Sequence, residues 1–239
     1  MSKVDLLSVT HDPKAKLLPY LKKHENALTS LYNECWITVS DESSEALIHY
    51  LIQDSPFNAV VIPKSGAANA RREVVSFGRE SACSHYHYCD LDRLLTWMNH
   101  YPEELELLVK KIPGQDYTVI GRTERAMATH PESWIETEKI TNKICSLALE
   151  QEIDITAGSC AFSKNIARLL AEHSEAKMTD AEWMMIAKNK AGAHISATQV
   201  NGLEYHESIN APNKSEEEAE IWFTRLKLST IISETILKK

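Results

Sequence analysis

Four apolar runs in this chain end in polar residues able to hold an ionic ligand. Thr10-His11-Asp12 closes one run, Ser40-Asp41 a second and Asp90-Leu91-Asp92 a third. The fourth ends at Lys64-Ser65-Gly66, with Arg71 and Arg72 a few residues on. Carboxylates are hard oxygen ligands for a divalent cation, and they also accept from ribose and base donors. Arginine forks pair with phosphate oxygens. The combination describes a pocket for a nucleotide diphosphate bridged by a metal. Strand-ending aspartates and surface arginines also serve plain structural ends, so the order of the segments along the chain matters.

Several other groups carry chemistry. Cys83-Ser84-His85-Tyr86-His87-Tyr88-Cys89 places four metal-ligating types at alternate positions. In a strand these share one face, but the outer cysteines then lie roughly 20 Å apart. One tetrahedral ion with bonds near 2 Å cannot collect all four, so the run reads as a packed strand. Gly121-Arg122-Thr123-Glu124-Arg125 stands near His130. Arg122 and Arg125 suit an acidic acceptor or the sugar, or a salt-bridged turn with Glu124 and Glu132. Gly158 fits a loop where backbone approaches a ligand closely. Trp97, Trp134 and Trp183 suit the core, although Trp183 lies beside two acidic residues, Asp180 and Glu182.

The elements that would position these residues alternate. Strand patterns occur at 6–10, 36–39, 59–62, 85–89, 117–120 and 195–200, with a loop or short strand at 154–162. Between them lie helical stripes, the clearest being Leu105, Leu108, Val109 and Ile112, which stops at Pro113-Gly114. A helix over 134–149 is expected to turn Ile140, Ile144 and Leu147 inward. A last helix over about 216–238 is expected to bury Trp222, Leu226 and Ile232, behind a polar linker at 211–219. Strand–helix alternation predicts βαβ units in a mostly parallel, Rossmann-like doubly wound sheet flanked by helices. Ligands of such sheets sit outside the carboxyl ends of the strands.

Composition narrows the class. The 239 residues include 43% hydrophobic and 25% charged, a globular balance. The formal charge of −8 argues against nucleic acid and acidic lipid as partners. The apolar run Ala59-Val60-Val61-Ile62 is far too short to span a bilayer. Five cysteines without a CxxC pair read as free thiols, hence a cytoplasmic setting. One domain over 1–239 is expected: a nucleotide-binding half over about 1–95, an acceptor-side half over about 96–210, and a linker and helix over about 211–239.

The segment order resembles the inverting GT-A glycosyltransferases of family 2. Val39-Ser40-Asp41-Glu42-Ser43-Ser44-Glu45 is similar to that family's V-x-D-x-S-x-D. Ser65-Gly66-Ala67-Ala68-Asn69-Ala70-Arg71-Arg72 is similar to its N-x-G-x-x-x-A-R-N, with Ser65 and Arg72 in place of the two asparagines. Asp90-Leu91-Asp92 looks like its D-x-D, followed here by Arg93. Thr179-Asp180-Ala181-Glu182-Trp183, followed by Gly192, is similar to its E-D segment. The resemblance covers roughly residues 4–200.

It implies a single GT-A-like domain binding a nucleotide-diphosphate sugar through Thr10, Asp12, Asp41, Gly66, Arg71 and Asp90. A divalent cation, Mn²⁺ or Mg²⁺, would take Asp90, Asp92 and, from after the late strand, His206. Asp180 or Glu182 would deprotonate the acceptor hydroxyl; Asp180 also fits a helix cap. Arg122, Arg125, Gly158 and Trp183 would lie on the acceptor and sugar side. The acceptor and the oligomeric state stay open. Two rivals remain. One is a nucleotidyltransferase, which would want a glycine-rich, lysine-bearing loop where this chain has Thr10-His11-Asp12-Pro13-Lys14. The other is a noncatalytic GT-A-like domain that binds a ligand or a partner.

Overall fold

The computed structural model of the chain describes residues 4–210 and 217–238. Seven strands form one sheet: β1 (Val4–Thr10), β2 (Cys35–Ser40), β3 (Asn58–Ile62), β4 (His85–Cys89), β5 (Tyr117–Arg122), β6 (Ser159–Ser163) and β7 (Ile195–Val200). Their order is β3-β2-β1-β4-β6-β5-β7. Every pairing is parallel except those of β6, which runs against both β4 and β5. The mostly parallel α/β sheet expected from the alternation is therefore present. It continues across residue 95, because β4 pairs with β1 on one side and β6 on the other.

The helices are α1 (Leu18–Leu31), α2 (Glu45–His49, prolonged by a π-helical turn over Tyr50–Asp54), α3 (Ala67–Gly78), α4 (Leu91–His100), α5 (Pro102–Lys111), α6 (Glu124–Met127), α7 (Glu132–Leu149), α8 (Lys164–His173), α9 (Thr179–Ala191), α10 (Glu207–Asn210) and α11 (Glu218–Leu237). Local chemistry sets several boundaries. Ser44 Oγ accepts from Leu47 N to start α2. In α5, Pro102 opens the helix, Glu103 and Glu104 fill its first turn, and Lys110 and Lys111 its last.

Strand side chains alternate between two cores because the pleat has period two. Leu6 and Val39 face a cluster with Leu21 and Leu28 of α1, Leu94 and Trp97 of α4, and Leu105 and Leu108 of α5. Leu7, Tyr86 and Tyr88 face the other, with Val74 and Val75 of α3, Trp183 of α9 and Ile232 of α11. Burial on both faces explains the continuous apolar runs in these strands.

Two helices depart from expectation. In α7 the buried face is polar: Ser133, Thr137, Glu138 and Thr141, with Cys145. Ile140 and Leu147 point outward, 53% and 66% exposed, because this face packs on α11 and lines a polar cleft. In α11, Leu226 is half exposed and Trp222 only partly buried, while Ser229, Ile232 and Ile236 face inward. Of the expected linker, 211–216 lie outside the described residues, and α11 begins within its last positions.

Gly202, after β7, is fixed by sterics. A Cβ there would lie 1.8 Å from Cδ1 of the buried Trp97 ring. Overpacking of this kind costs about 1–3 kcal/mol or more. Gly202→Ala is therefore expected to lower the free energy of unfolding by that amount, which equilibrium urea denaturation checks directly.

Candidate active site

Parallel strands end on one edge, so the polar segments after β1, β2, β3 and β4 gather there. The antiparallel β6 starts at the same edge, since Ser159 sits opposite Cys89. At the outer corner His11, Ser40, Asp41 and Lys64 meet. Lys64 N donates to Asp41 Oδ1 at 3.0 Å, Lys64 Nζ contacts His11 Nε2 at 2.6 Å, and His11 Nδ1 contacts Ser40 Oγ at 3.3 Å. Asp41 is exposed beside them. Asp12 is buried and turned to the loop: its carboxylate accepts from Leu17 N at 2.8 Å and Lys14 N at 3.3 Å. It shapes the strand end and leaves ligand contact to its neighbours. Thr10 Oγ1 is buried without a hydrogen-bond partner. Gly66 starts α3 with φ of +90°, a conformation glycine adopts without penalty.

At the centre lies Arg71. Its Nη2 donates to Asp90 Oδ2 at 2.8 Å, and its Nη1 to Asp180 Oδ2 and Thr179 Oγ1, each at 3.1 Å. The guanidinium also stands 5.5 Å from the Tyr88 ring centre. Burial works against its charge, but Asp90 first, then Tyr88 and Asp180, hold its pKa well above the ordinary arginine value. The Tyr88 hydroxyl donates to Asp90 Oδ1. Gly158, at φ +72°, passes so close that a Cβ would sit 3.0 Å from Asp90 Oδ2. The close approach expected at Gly158 is thus to a carboxylate.

Asp90, Asp92 and Asp180 line one cavity of about 220 Å³, together with Arg71, Arg93 and Arg225. Asp92 accepts from Asn210 Nδ2 at 2.9 Å, and burial pushes its pKa up despite Arg93 nearby. Asp90 and Asp92 stand two residues apart at the start of α4 and line one cavity, an oxygen donor pair of the kind a hard divalent ion takes, with Asp90 sharing oxygens that also accept from Arg71 and the Tyr88 hydroxyl. The residues present therefore fit Mn²⁺ or Mg²⁺ at Asp90 and Asp92.

The other expected residues divide. Asp180 faces the cleft, whereas Glu182 does not. Glu182 Oε1 accepts from Glu175 N and Ala176 N, each at 2.6 Å, and Oε2 from Ser174 Oγ at 2.5 Å. It ties down the loop between α8 and α9. Trp183 is 2% exposed and packs edge-on against Tyr88 and Phe162, in the core and not as a sugar platform. Arg122 is fully engaged by Asp154 at 2.8 Å and Glu138 at 2.6 Å, so it is a buried strut with no fork left for an anion. Arg125 lies outside the cleft, bonded to Glu204 at 2.6 Å and to Asn201 at 3.0 Å. His206 likewise turns from Asp92 to Glu204 at 2.6 Å and stacks on His100. Within 83–89, His87 is buried between the Tyr32 hydroxyl at 2.7 Å and Ser159 Oγ at 3.1 Å, as a packed strand requires.

Three cleft residues escaped sequence reasoning, Arg225 and Ser229 of α11 and Glu138 of α7, as did Asn210, which bonds Asp92. Arg225 lies 4.2 Å from the Trp134 ring centre and bonds Glu138. Burial lowers its pKa, with Arg122 and Arg93 adding to the effect against Glu138. Arg93 is buried, contacts His130 Nε2 at 3.2 Å and stands over Trp134 and Tyr205. The only sequence signal was the position of Arg93 directly after the D-x-D.

No family model and no curated protein sequence matches this chain. Solved structures do. Glucosyl-3-phosphoglycerate synthase from Mycobacterium tuberculosis, bound to uridine diphosphate, superposes with TM-score 0.58 at 10% identity, over 98% of this chain and 80% of that one. The same protein with Mn²⁺, uridine-diphosphate-glucose and phosphoglyceric acid gives 0.53 at 10% identity, over 95% and 79%. CMP:2-keto-3-deoxy-manno-octonic acid synthetase with CTP gives 0.51 at 12% identity, over 96% and 99%. The chain has the GT-A-like fold of these nucleotide-sugar enzymes.

Two predictions concern the walls of the cleft. Removing one partner of a buried ion pair costs about 3–5 kcal/mol, so Arg122→Ala is expected to lose that amount in urea unfolding. A loss under about 1 kcal/mol would refute its role as a strut. The second concerns pH. Burial lowers His87 from an ordinary value of 6.5 to about 3, and burial with Arg93 does the same to His130. Both rings are neutral when folded and gain a proton on unfolding below about 6.5. Their contribution is complete above that pH and is lost progressively toward pH 3. Between pH 6.5 and 5 each is expected to remove roughly 1.5–2 kcal/mol, with a shallower pH slope in His130→Gln.

Proposed function

We propose that this protein is an inverting glycosyltransferase that binds a nucleotide-diphosphate sugar and transfers the sugar with a divalent ion. The observation that carries this is the placement of Asp90, Asp92, Arg71 and Asp180 on one cavity at the carboxyl edge of a GT-A-like sheet. The neighbours crystallised with uridine diphosphate or with Mn²⁺ and uridine-diphosphate-glucose support the same reading. The nucleoside would lie at the corner of Thr10, Asp41 and Lys64, with Gly66 allowing the chain to turn into α3. Asp90 and Asp92 would hold Mn²⁺ or Mg²⁺, without His206. When bound, such an ion stabilises the negative charge left on the departing diphosphate.

This chain's own residues supply the rest. Arg71 adds a fixed positive charge beside the leaving group and holds Asp180 in place. Asp180 accepts the proton of the acceptor hydroxyl as its oxygen bonds to the anomeric carbon and the bond to phosphate breaks on the opposite face. Glu182 is excluded as the base because both its oxygens serve the 174–176 backbone and Ser174. The acceptor would enter on the side of Arg93, Trp134, Arg225 and Ser229. Sugar transfer is favoured over nucleotide transfer because the loop after β1 has no glycine. The full-length match to a CTP-bound synthetase keeps nucleotide transfer as the second reading.

Thermal shift with UDP-, GDP- and TDP-sugars, with and without Mn²⁺, tests the proposal. Stabilisation is expected only with the metal and is lost in Asp92→Ala. Stabilisation indifferent to both would refute the metal assignment. In turnover, Asp180→Asn is expected to lower kcat by about 10²–10⁴-fold, whereas Glu182→Gln lowers Tm with little change in kcat. Pyrophosphate release from a nucleoside triphosphate and a sugar would establish the second reading. No turnover in wild type, with binding retained, would leave a noncatalytic binding domain.

A further inference from the structure

The His206 ring, expected at the donor metal, lies in a different cluster. Its Nε2 donates to Glu204 Oε1 at 2.6 Å, and its plane stacks on His100 with centroids 4.1 Å apart. One ligand atom from each of His100, Glu204 and His206 falls within 4.8 Å of the others. None of the three lines the cleft that holds Asp90 and Asp92.

We propose that His100, Glu204 and His206 form a second cation site, for a borderline transition ion such as Zn²⁺, separate from the hard-ion site of the cleft. Two imidazoles and a carboxylate are a ligand set for Zn²⁺, Co²⁺ or Ni²⁺ and not for Mg²⁺. Bonds of about 2.0–2.2 Å in tetrahedral geometry place ligand atoms about 3.3 Å apart. Glu204 Oε1 and His206 Nε2, 2.6 Å apart, would open by about 0.7 Å as the His206 proton leaves, and the His100 ring would turn out of its stack so that its lone pair meets theirs. His100 is exposed and held there by the Asn99 side chain at 3.2 Å; that exposure gives the ring room to turn and leaves the fourth position open to water.

The surroundings hold the ligands in place. Glu204 Oε2 is occupied by Arg125 Nη1 at 2.6 Å and the Tyr101 hydroxyl at 3.2 Å, which aims Oε1 at the histidines. Glu104 of α5 accepts from Asn201 N at 2.9 Å and Gly202 N at 2.8 Å, which pins the loop carrying Glu204. Gly202 packs that loop onto Trp97, on the same helix that ends in His100. Such outer contacts are what orient ligands in built metal sites.

The occupied site would staple the end of α4 to the loop after β7. That loop leads to Asn210, whose side chain holds Asp92 at the other end of α4. The proposal does not depend on the glycosyltransferase reading.

Co²⁺ titration of the metal-free full-length chain, without nucleotide, tests it by visible absorption. One equivalent is expected to give ligand-field bands of a four- or five-coordinate site, displaced by Zn²⁺. His100→Ala and His206→Ala should each weaken binding at least tenfold, while Asp90→Asn and Asp92→Asn keep the bands. His100 is exposed, so its variant folds, and far-ultraviolet circular dichroism checks this. Absent bands in wild type, bands unchanged in both histidine variants, or bands lost through the aspartate variants would each overturn the proposal.

Discussion

Arg71 sets a permanent positive charge under the mouth of the cleft, and the positions of Asp90 and Asp180 follow from neutralising it. Asp90 ends β4 and Asp180 begins α9, elements far apart in sequence. The guanidinium joins them at 2.8 and 3.1 Å. A buried cation with one partner removed is costly, by about 3–5 kcal/mol, so these carboxylates cannot drift apart without penalty. Gly158 and Tyr88 complete the seat: the one has no side chain to displace Asp90, and the other donates to its second oxygen. A proposed metal ligand and the proposed base are thereby held at a fixed relation before any ligand arrives, which is the arrangement that catalysis by positioning requires.

Behind this seat a second buried network carries the far wall. Arg122 joins Asp154 on the loop before β6 to Glu138 of α7, and Glu138 in turn meets Arg225 of α11. Thr141 donates to Ser229 at 2.6 Å across the same helix pair. The wall is thus held by polar contacts over an aromatic floor of Trp134. Polar walls around a cavity of about 220 Å³ suit a ligand bearing hydroxyls or charge better than an apolar one.

Much of the sheet was legible because strands covered on both faces are nearly continuous apolar runs, as in Trp36-Ile37-Thr38-Val39; the edge strand β3 was legible from its β-branched run Val60-Val61-Ile62, although Val61 is exposed. The stripe of Leu105, Leu108, Val109 and Ile112 was legible for the same reason, since all four are buried. Helix α7 was misread because its inner face serves the cleft and α11, so apolar periodicity selected the outward Ile140 and Leu147. Asp90, Asp92, Arg71 and Asp180, read from separate segments, line one cavity. Arg122 misled because its partner Asp154 lies 32 residues away, and nothing local marks a buried ion pair. Glu182 and Asp180 share one helical turn, and only the loop at 174–176 decides which of them faces the cleft. His206 has the right residue type, but Glu204 and His100 take its ring.

The central claim is that Asp90 and Asp92 bind a divalent ion together with a nucleoside diphosphate. Electron paramagnetic resonance of Mn²⁺ measures this directly, because bound and free ions give different spectra. The account predicts that UDP, GDP or TDP converts the free Mn²⁺ signal to a bound one in the wild-type chain and fails to do so in Asp92→Asn. An unchanged free-ion spectrum with every nucleotide, or an equal bound signal in the variant, would contradict it.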